Sequence, residues 1–315
     1  MRMRKNIFGF VLVVALGCLL CLFGLVNAEE QGSRDVEDGK LRIIVFGAHP
    51  DDCEGRAGGV AAMWAAQGHR VKFVSTTNGD IGHAEMAGGP LARRRAKEVR
   101  EAAKILGIDE SMVLDNHDGE LMPTLENRKA LVRLIRQWKA DIVMGHRPND
   151  YHPDHRYTGV LMQDAAFMVT VAHFCPDVQQ LSKNPVFLYL SDNFQKPNPF
   201  EPDVVVATDE VFEKKTDALW TMESQVESLW TTGNFEKIVP VPKEASARQK
   251  RKQEIQERFG RRDELTANKY REKLIELYGA EKGKKVRYAE AFEVCEYGRQ
   301  PLAEELKQLF PFFER

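Results

Sequence analysis

The sequence predicts an α/β fold built on a mainly parallel sheet with helices on both faces. Short β-rich runs alternate with longer helical stretches between residues 41 and 191, the pattern of strands joined by crossover helices. The first run, Leu41–Ala48, is almost continuously apolar, as expected for a strand buried on both faces. Two His/Asp motifs directly follow two predicted strands, where ligands bind in such sheets. We therefore expect a sheet of the Rossmann-like type.

The predicted elements follow one another in a regular order. A helix rich in small residues over Gly58–Gln67 ends at Gly68, and a helix over Leu91–Leu106 ends at Gly107, since glycine commonly terminates helices. A third helix is predicted over Glu126–Lys139. The strands predicted after the first are Arg70–Thr76, Met112–Leu114, Asp141–Gly145, Phe187–Leu190 and Val204–Ala207.

The chain beyond the predicted sheet has a different composition. Asp209–Trp230 has the pattern of a further helix. From about Pro240 to Tyr278, charged residues surround a narrow apolar stripe of Ile255, Phe259, Leu265, Leu274 and Leu277. This pattern predicts a solvated helical arm, with a lid over the site as the less favoured alternative. We therefore divide the mature chain into an α/β domain over residues 38–235 and a charged arm with a C-terminal segment over 236–315 that packs on it.

The N-terminal residues have the pattern of an export signal. A basic start (Arg2, Arg4 and Lys5) precedes the apolar run Ile7–Val26, and Val26-Asn27-Ala28 offers a small-residue cleavage site. We expect residues 1–28 to be removed and the protein to be periplasmic or extracellular. The apolar run is also long enough to span a bilayer, so an uncleaved membrane anchor is the alternative.

Composition argues against several classes of function. The chain carries 45 basic and 47 acidic side chains, a net charge of −2, and no basic stripe dominates a predicted face, so nucleic-acid binding is not expected. The three cysteines after residue 28 (Cys53, Cys175 and Cys295) do not form a disulfide framework. The first strand leads into His-Pro-Asp-Asp rather than a glycine-rich turn, which argues against a nucleotide-binding protein.

The two motifs supply the residue types of a metal site. His49 and Asp52 lie three residues apart behind the first strand, in a turn where Pro50 fixes one backbone angle. His155 ends the second motif, which begins at His152. Two histidines and one carboxylate leave a coordination position open, which suits catalytic zinc and also ferrous iron. We predict one Zn²⁺ held by His49, Asp52 and His155, with Fe²⁺ as the alternative ion.

The remaining polar residues of the motifs fit roles in hydrolysis. Asp51 is adjacent to a predicted ligand but points elsewhere, so it could accept the proton of the attacking water as general base. His152 could stabilise a developing oxyanion, and Asp154 could hold His152 in its protonated form. Cys53 is either a fourth ligand, which would close the site, or a small apolar residue packed behind the turn.

The paired motifs, followed by Gly58-Gly59 after the first, resemble the PIG-L/LmbE family of metal-dependent N-deacetylases. The resemblance covers roughly residues 41 to 225 and implies a Rossmann-like catalytic domain. It assigns zinc binding to His49, Asp52 and His155, proton transfer to Asp51, and oxyanion stabilisation to His152 with Asp154 behind it.

Weaker matches to the same family suggest residues near the substrate. Arg95 is similar to the arginine of the family's Arg-x-x-Glu helix, and Asp118-Gly119 resembles its Asp-Gly loop, which can reach substrate hydroxyls. Ser224-Gln225 resembles a Ser-Gln near the end of the family's catalytic domain. Glu223, however, stands where the family often has a histidine, so this chain departs from the pattern there.

From these residues we expect an exported, zinc-dependent hydrolase that removes an acetyl group from the nitrogen of an amino sugar or glycoconjugate. Its expected partner is a small-molecule or glycan substrate, and membrane contact is expected only through an uncleaved N-terminal segment. A non-catalytic, metal-containing sugar-binding protein of the same fold is the alternative. The presence of Asp51, His152 and Asp154 beside all three predicted ligands argues against it.

Overall fold

A seven-stranded sheet runs through the computed structural model of the chain, which describes residues 39–313. Its spatial order is β3-β2-β1-β4-β5-β7-β6. Strands β3 to β5 of that order pair in parallel, and β7 runs antiparallel between β5 and β6. The strands are β1 (Arg42–Gly47), β2 (Arg70–Ser75), β3 (Glu110–Val113), β4 (Ile142–Gly145), β5 (Val186–Leu190), β6 (Val204–Ala207) and β7 (Ala289–Gly298).

Helices cover both faces of this sheet, which confirms the predicted fold class. Buried residues of α1, α2, α5 and α8 form the core on one face, and those of α3, α4 and α9 form the core on the other. The helices are α1 (Asp52–Ala66), α2 (Gly89–Leu106), α3 (Leu125–Trp138), α4 (Pro153–Met168), α5 (Phe212–Trp220), α6 (Glu223–Val226), α7 (Leu229–Thr232), α8 (Ala245–Lys269), α9 (Arg271–Lys285) and α10 (Ala303–Leu309).

Strand β1 lies in the middle of the sheet and contributes to both core layers. Ile43 and Val45 pack on the α1 face, whereas Ile44 and Phe46 pack on the α3 face, and all four are fully buried. Successive side chains of a strand point to opposite faces, so a strand covered on both faces needs an unbroken apolar run. The sequence Ile-Ile-Val-Phe meets that requirement.

Helix α1 begins six residues earlier than predicted, at Asp52 rather than Gly58. The acidic side chains of Asp52 and Glu54 lie in its first turn, where the helix dipole favours negative charge. Gly59 allows close packing further along the helix, because a Cβ atom there would lie 2.7 Å from Thr208 Cγ2. The start of α1 therefore places Asp52 at the end of the sheet.

The helix predicted over Asp209–Trp230 is divided into α5, α6 and α7. Thr221 Oγ1 donates to the carbonyl of Ala218 just after α5 ends. The backbone N–H of Ser224 then donates to the carboxylate of Glu98 at 2.9 Å rather than continuing α5. Side chains that compete for backbone groups in this way interrupt helices, and sequence periodicity does not reveal them.

The C-terminal segment contributes more to the fold than the sequence predicted. Helices α8 and α9 occupy most of residues 240–278, as predicted. Ile255, Phe259 and Leu274 of the predicted apolar stripe are buried, whereas Leu265 is exposed. Strand β7, however, was not predicted, nor was α4 after the second motif. The division of the chain at residue 235 stays a prediction, although the segment beyond it supplies a strand to the sheet.

The predicted export signal, residues 1–28, lies outside the described residues. Within residues 39–313, no helix combines the length and the apolar character needed to cross a membrane. Cys53, Cys175 and Cys295 are buried and none of them forms a disulfide.

A buried ionic network joins the C-terminal elements to α1. Lys215 Nζ lies 2.6 Å from Asp263 Oδ2 and 2.8 Å from Glu290 Oε1, and all three side chains are almost fully buried. The carboxylate of Glu290 also accepts the N–H groups of Gly59 at 2.9 Å and Val60 at 2.8 Å. The network thus connects α5, α8 and β7 to the helix that follows the first motif.

Replacing Lys215, the cation of the Lys215–Asp263–Glu290 network, is expected to destabilise the fold. Lys215→Met removes the cation that contacts both carboxylates and leaves Arg262, whose Nε lies 4.0 Å from Asp263 Oδ1, as the more distant counter-charge. The free energy of unfolding is therefore expected to fall by about 3–5 kcal/mol. Urea denaturation followed by circular dichroism measures this difference.

Lys104→Met is the matched control, because Lys104 pairs with Glu101 on the exposed surface of α2. It is expected to leave the denaturation midpoint unchanged. Equal midpoints for the two variants would mean that the buried network does not stabilise the fold.

Candidate metal centre and active site

The two His/Asp motifs lie together beyond the carboxyl ends of β1 and β4. These strands are parallel neighbours, with Ile43 opposite Ile142 and Phe46 opposite Gly145. The chain places β2 and β3 on one side of β1 and then returns to place β4 on the other side. Ligands bind at this kind of switch point in open α/β sheets, because the adjacent loops diverge and leave a crevice.

Three donor atoms at this point form a nearly equilateral triangle. His49 Nδ1 lies 3.4 Å from Asp52 Oδ2, His155 Nε2 lies 3.4 Å from the same oxygen, and the two nitrogens are 3.2 Å apart. Tetrahedral ligands at the usual zinc distances of about 2.0–2.1 Å lie about 3.3–3.4 Å from one another. The three ligands predicted from the sequence therefore fit one metal ion.

Carboxylates face the outer nitrogen of both histidines. His49 Nε2 lies 3.1 Å from Asp118 Oδ1 and 3.3 Å from Asp154 Oδ2, while His155 Nδ1 lies 3.1 Å from Asp150 Oδ2. A histidine that binds a metal through one nitrogen commonly presents the other to a carboxylate, which fixes the ring's orientation and raises its basicity. This second layer supports the assignment of His49 and His155 as ligands.

Charges in the triangle are strongly coupled. Burial tends to raise the pKa of Asp52, but the charge of His155 and other imidazole contacts hold it well below its usual value. Burial tends to lower the pKa of His49, but hydrogen bonds to Asp118 and Asp154 raise it well above its usual value. The carboxylates thus favour positive charge at His49, and a bound cation can supply that charge in place of the proton.

Asp51 lies beside the triangle and is held by a buried arginine. Burial raises the pKa of Asp51 to about 6, and the charge of Arg95 opposes part of that rise. Arg95 Nη2 donates to Asp51 Oδ2 at 3.2 Å and to the carbonyl of Pro50 at 2.9 Å, and Nη1 donates to the carbonyl of Gly79. A carboxylate with a pKa near neutrality is suited to accept and return a proton.

Arg95 was predicted to lie near the substrate, and the structure gives it a contact with Asp51. Its side chain is almost fully buried under the first motif. A direct contact between Arg95 and substrate stays a prediction. Asp118, the other predicted substrate residue, faces His49 from the loop after β3, and its contact with substrate hydroxyls also stays a prediction.

His152 caps helix α4 at the edge of the site. Its Nδ1 accepts the backbone N–H of Asp154 at 3.2 Å, so in a neutral ring the proton lies on Nε2. Burial lowers the pKa of His152, as do the charges of His49 and His155. The structure therefore favours a neutral imidazole donor, whereas the sequence suggested a protonated one.

The carboxylate of Asp154 is fixed by the loop after β3. It accepts the N–H groups of Gly119 at 2.6 Å and Leu121 at 3.1 Å and is fully buried. The sequence paired Asp154 with His152. The structure places it in contact with His49 Nε2, with donor atoms of His152 within 4.8 Å. A direct effect of Asp154 on His152 stays a prediction.

His146 belongs to an overlapping cluster that the sequence did not assign. Its Nε2 lies 3.3 Å from Asp52 Oδ2, and its ring stacks on that of His155 with centroids 4.1 Å apart. The same nitrogen accepts the backbone N–H of Ala48 at 3.2 Å, which occupies its lone pair. His146 thus packs against the face of the His155 ring. Its position after a predicted strand does not indicate this packing role.

Known proteins provide an independent comparison for this geometry. Residues 44–166 match the PIG-L family, described as GlcNAc-PI de-N-acetylase. A diacetylchitobiose deacetylase from Thermococcus kodakarensis is 32% identical over 200 residues, which cover 60% of this chain and 72% of that protein. The chain belongs to the PIG-L family. Both motifs lie within the matched residues, so the family resemblance inferred from the sequence is confirmed.

Two further proteins that resemble this chain carry different names. The structure of the N,N'-diacetylchitobiose deacetylase from Pyrococcus horikoshii superposes with a TM-score of 0.60 at 24% identity, covering 80% of this chain and 83% of that one. A protein named 4-oxalmesaconate hydratase, from Pseudomonas putida, is 25% identical over 64% of this chain and 80% of its own length. Proteins named for different reactions therefore resemble this chain.

Cys53 is not positioned as a ligand in this PIG-L chain. Its thiol is buried against the sheet, 3.5 Å from the carbonyl of Val45 and 3.9 Å from that of Val74. Burial raises the pKa of the thiol well above its usual value, which disfavours the thiolate that a metal would bind. Of the two alternatives left by the sequence, the structure supports a small residue packed behind the turn.

The Ser224-Gln225 match has a structural explanation. Ser224 Oγ donates to Glu98 Oε2 at 2.6 Å, and Gln225 Nε2 donates to the carbonyl of Gly82 at 3.0 Å. Both side chains are fully buried. Gln225 therefore holds the loop after β2, and Ser224 joins α6 to α2, although Glu223 stands where the family often has a histidine.

The second layer of carboxylates is testable at Asp150. In Asp150→Asn, the oxygen that accepts the His152 N–H at 3.0 Å is kept, but the group facing His155 Nδ1 becomes a donor. The dissociation constant of Zn²⁺, used as the probe ion in a chelator competition, is expected to rise about 10–100-fold.

His117→Gln is the control, since His117 is largely exposed and contacts Asp80 outside the triangle. Its affinity for the probe ion is expected to equal that of the unmodified protein. An equal affinity in Asp150→Asn would show that Asp150 does not orient His155 for metal binding.

Proposed function

We propose that this protein is a zinc-dependent hydrolase that removes the N-acetyl group from an amino sugar or glycoconjugate. The single observation that carries the proposal is the donor triangle of His49, Asp52 and His155 with the carboxylate of Asp51 beside it. Similarity to a diacetylchitobiose deacetylase supports the substrate class.

Zinc suits the donors of the triangle best. Two imidazoles and one carboxylate at tetrahedral spacing leave room for a water and a substrate oxygen, while Fe²⁺ is the alternative for the same ligand set. A zinc ion held there would act as a Lewis acid on the amide carbonyl and make water acidic enough to react near neutral pH.

Asp51 would move the proton during hydrolysis. It is adjacent in sequence to the predicted ligand Asp52, and a hydrogen bond from Arg95 Nη2 holds its carboxylate. Because burial raises its pKa to about 6, Asp51 is ionised at neutral pH, yet basic enough to take a proton from the attacking water. The same proton can then pass to the nitrogen of the leaving amine as the amide bond breaks.

His152 would stabilise the negative charge that develops on the carbonyl oxygen. Its Nδ1 accepts a backbone hydrogen bond, so its Nε2–H is the group available for donation. Its ring lies edge-on to that of the predicted ligand His49, with centroids 4.5 Å apart. A donor preorganised in this way contributes more when the charge forms than when substrate binds.

The sugar-binding alternative predicts the same metal site without turnover. The arrangement of Asp51, Arg95 and His152 favours an enzyme, because a binding protein has no need of a base with a raised pKa beside the metal. Turnover by the metal-loaded protein separates the two functions.

The first experiment is amine release from N-acetylglucosamine and di-N-acetylchitobiose by zinc-loaded protein. Asp51→Asn is expected to lower kcat about 10²–10⁴-fold, the usual contribution of a positioned base, while the zinc content stays at one per chain. Release is followed with an amine-reactive fluorophore, and zinc by atomic absorption.

Asp164→Asn is the control, because Asp164 lies on the outer part of α4 and pairs with Arg128. Its rate is expected to match that of the unmodified protein. No amine release from any N-acetylated sugar, despite stoichiometric zinc, would refute the deacetylase proposal. Full activity in Asp51→Asn would refute the role of Asp51 alone.

We also propose that the protein is exported and loses residues 1–28. The basic start, the apolar run and the small residues before Glu29 support this proposal. When the full chain is expressed in a Gram-negative host, the periplasmic fraction is expected to contain protein beginning at Glu29, as read by N-terminal sequencing. An intact N-terminus in the membrane fraction would instead indicate an uncleaved anchor.

A further inference from the structure

An exposed aromatic side chain stands at the mouth of the candidate site. Tyr151 is 73% exposed, and its ring lies edge-on to those of His152 and His155, with centroids 5.8 Å from each. Single exposed aromatic residues are common on protein surfaces. Tyr151 differs because it projects from the segment that carries the oxyanion donor and a metal ligand.

A second aromatic ring lies on the same side of the mouth. Phe194 is half-buried, and its ring centroid is 6.3 Å from that of Tyr151 at an interplanar angle of 43°. Tyr151 follows β4 and Phe194 follows β5, two neighbouring parallel strands. Two rings from adjacent strand ends thus form one surface beside the metal ligands, which we call the Tyr151–Phe194 platform.

The backbone under this platform is fixed by a buried ion pair. Arg147 donates to both oxygens of Asp192, at 2.7 and 2.6 Å, and both side chains are almost fully buried. Arg147 also donates to the carbonyl of Phe194 at 3.1 Å, and Asp192 accepts the N–H of Phe194 at 2.9 Å. A bidentate pair of this kind holds its partners in one geometry.

A further contact ties the two loops together. Asn149 Nδ2 donates to the carbonyl of Lys196 at 3.2 Å, so residues on both sides of the platform are joined. Ordering the loops before a ligand arrives lowers the entropy lost on binding. Within residues 39–313 the Tyr151 hydroxyl has no hydrogen-bond partner, so its ring is not committed to another part of the fold.

We propose that the pyranose ring of the substrate stacks on the Tyr151–Phe194 platform while its acetamido group enters the metal site. This inference rests on the proposed function. One face of a pyranose presents C–H groups that pack against a flat aromatic ring, and tyrosine offers a large rigid surface with little entropy to lose. The platform lies within one sugar ring of His152, which is where a sugar bearing the reacting amide must sit.

Tyr151→Leu tests whether the platform binds the flat face of a sugar ring or a flexible acyl chain. Tyr151→Leu keeps apolar volume, which a flexible acyl chain would still contact, but removes the flat ring that a sugar requires. For di-N-acetylchitobiose, KM is expected to rise roughly three- to tenfold in Tyr151→Leu, the loss expected for one aromatic contact. kcat is expected to change less than twofold, because stacking binds substrate and transition state alike.

Two further variants sharpen the result. Tyr151→Phe keeps the ring and is expected to raise KM less than Tyr151→Leu. Phe167→Leu is the matched control, because Phe167 is equally exposed at 72% but lies near the far end of α4 from the motifs. It is expected to leave KM unchanged. For an N-acetylated alkyl amine, which has no ring, kcat/KM is expected to be equal in Tyr151→Leu and the unmodified protein.

Several outcomes would refute the proposal that a sugar stacks on the Tyr151–Phe194 platform. An unchanged KM for the chitobiose in Tyr151→Leu would refute it, as would an equal rise in KM for the alkyl amine or for Phe167→Leu. If the unmodified protein releases no amine from sugars, the proposed function fails, and calorimetric binding of di-N-acetylchitobiose then decides the platform. Weaker binding in Tyr151→Leu would support stacking, whereas equal or absent binding would refute it.

Discussion

The parallel pairing of β1 with β4 is the constraint on which the site depends. His49 and His155 are 106 residues apart in the chain, yet their inward nitrogens lie 3.2 Å apart. Such an approach requires two loops that leave the same edge of the sheet from adjacent strands. The donor triangle then concentrates polar groups in a buried crevice, which is unfavourable unless charges are paired or a cation binds. The carboxylates of Asp118, Asp150 and Asp154 meet part of that requirement, because they pair with the outer nitrogens of His49 and His155.

The same constraint explains why the C-terminal elements belong to the architecture of the site. Helix α1 carries Asp52 in its first turn, so its position sets one corner of the triangle. Glu290 of β7 binds two N–H groups of α1, and Arg262 of α8 donates to the carbonyl of Gly55 at 2.5 Å. The C-terminal segment, which the sequence predicted to be a solvated arm, therefore holds helix α1 in position through these hydrogen bonds.

Local signals in the sequence predicted strands β1 to β6, the fold class and the proximity of the two motifs, because each depends on a short apolar run and the chemistry that follows it. Contacts that distant residues outside the motifs make with them were not predictable. Asp150 Oδ2 lies 3.1 Å from His155 Nδ1, but in sequence Asp150 is one more acidic loop residue before His152. Glu290 reaches Gly59 across 231 residues, and its charge interrupts the apolar pattern that would have marked β7 as a strand. The partner that makes a buried charge favourable is visible only in three dimensions.

Proteins named for a deacetylation and for a hydration both resemble this chain in sequence, and one fold can host different reactions, so the fold alone does not determine the reaction. The side chains that determine which reaction occurs must therefore lie where the substrate contacts the candidate metal site. In the proposed mechanism, Asp51 would transfer the proton and His152 would stabilise the oxyanion, the two roles that the hydrolysis of an amide requires. We propose that the loops after β4 and β5 select which amide enters; the Arg147–Asp192 pair holds the backbone of Phe194 in the second of these loops. In our proposal, reaction and substrate selection share the loop after β4, because Tyr151 lies between Asp150, which faces the ligand His155, and His152. The aromatic surface can therefore vary without disturbing the donor triangle only at the Tyr151 side chain and in the loop after β5 that carries Phe194.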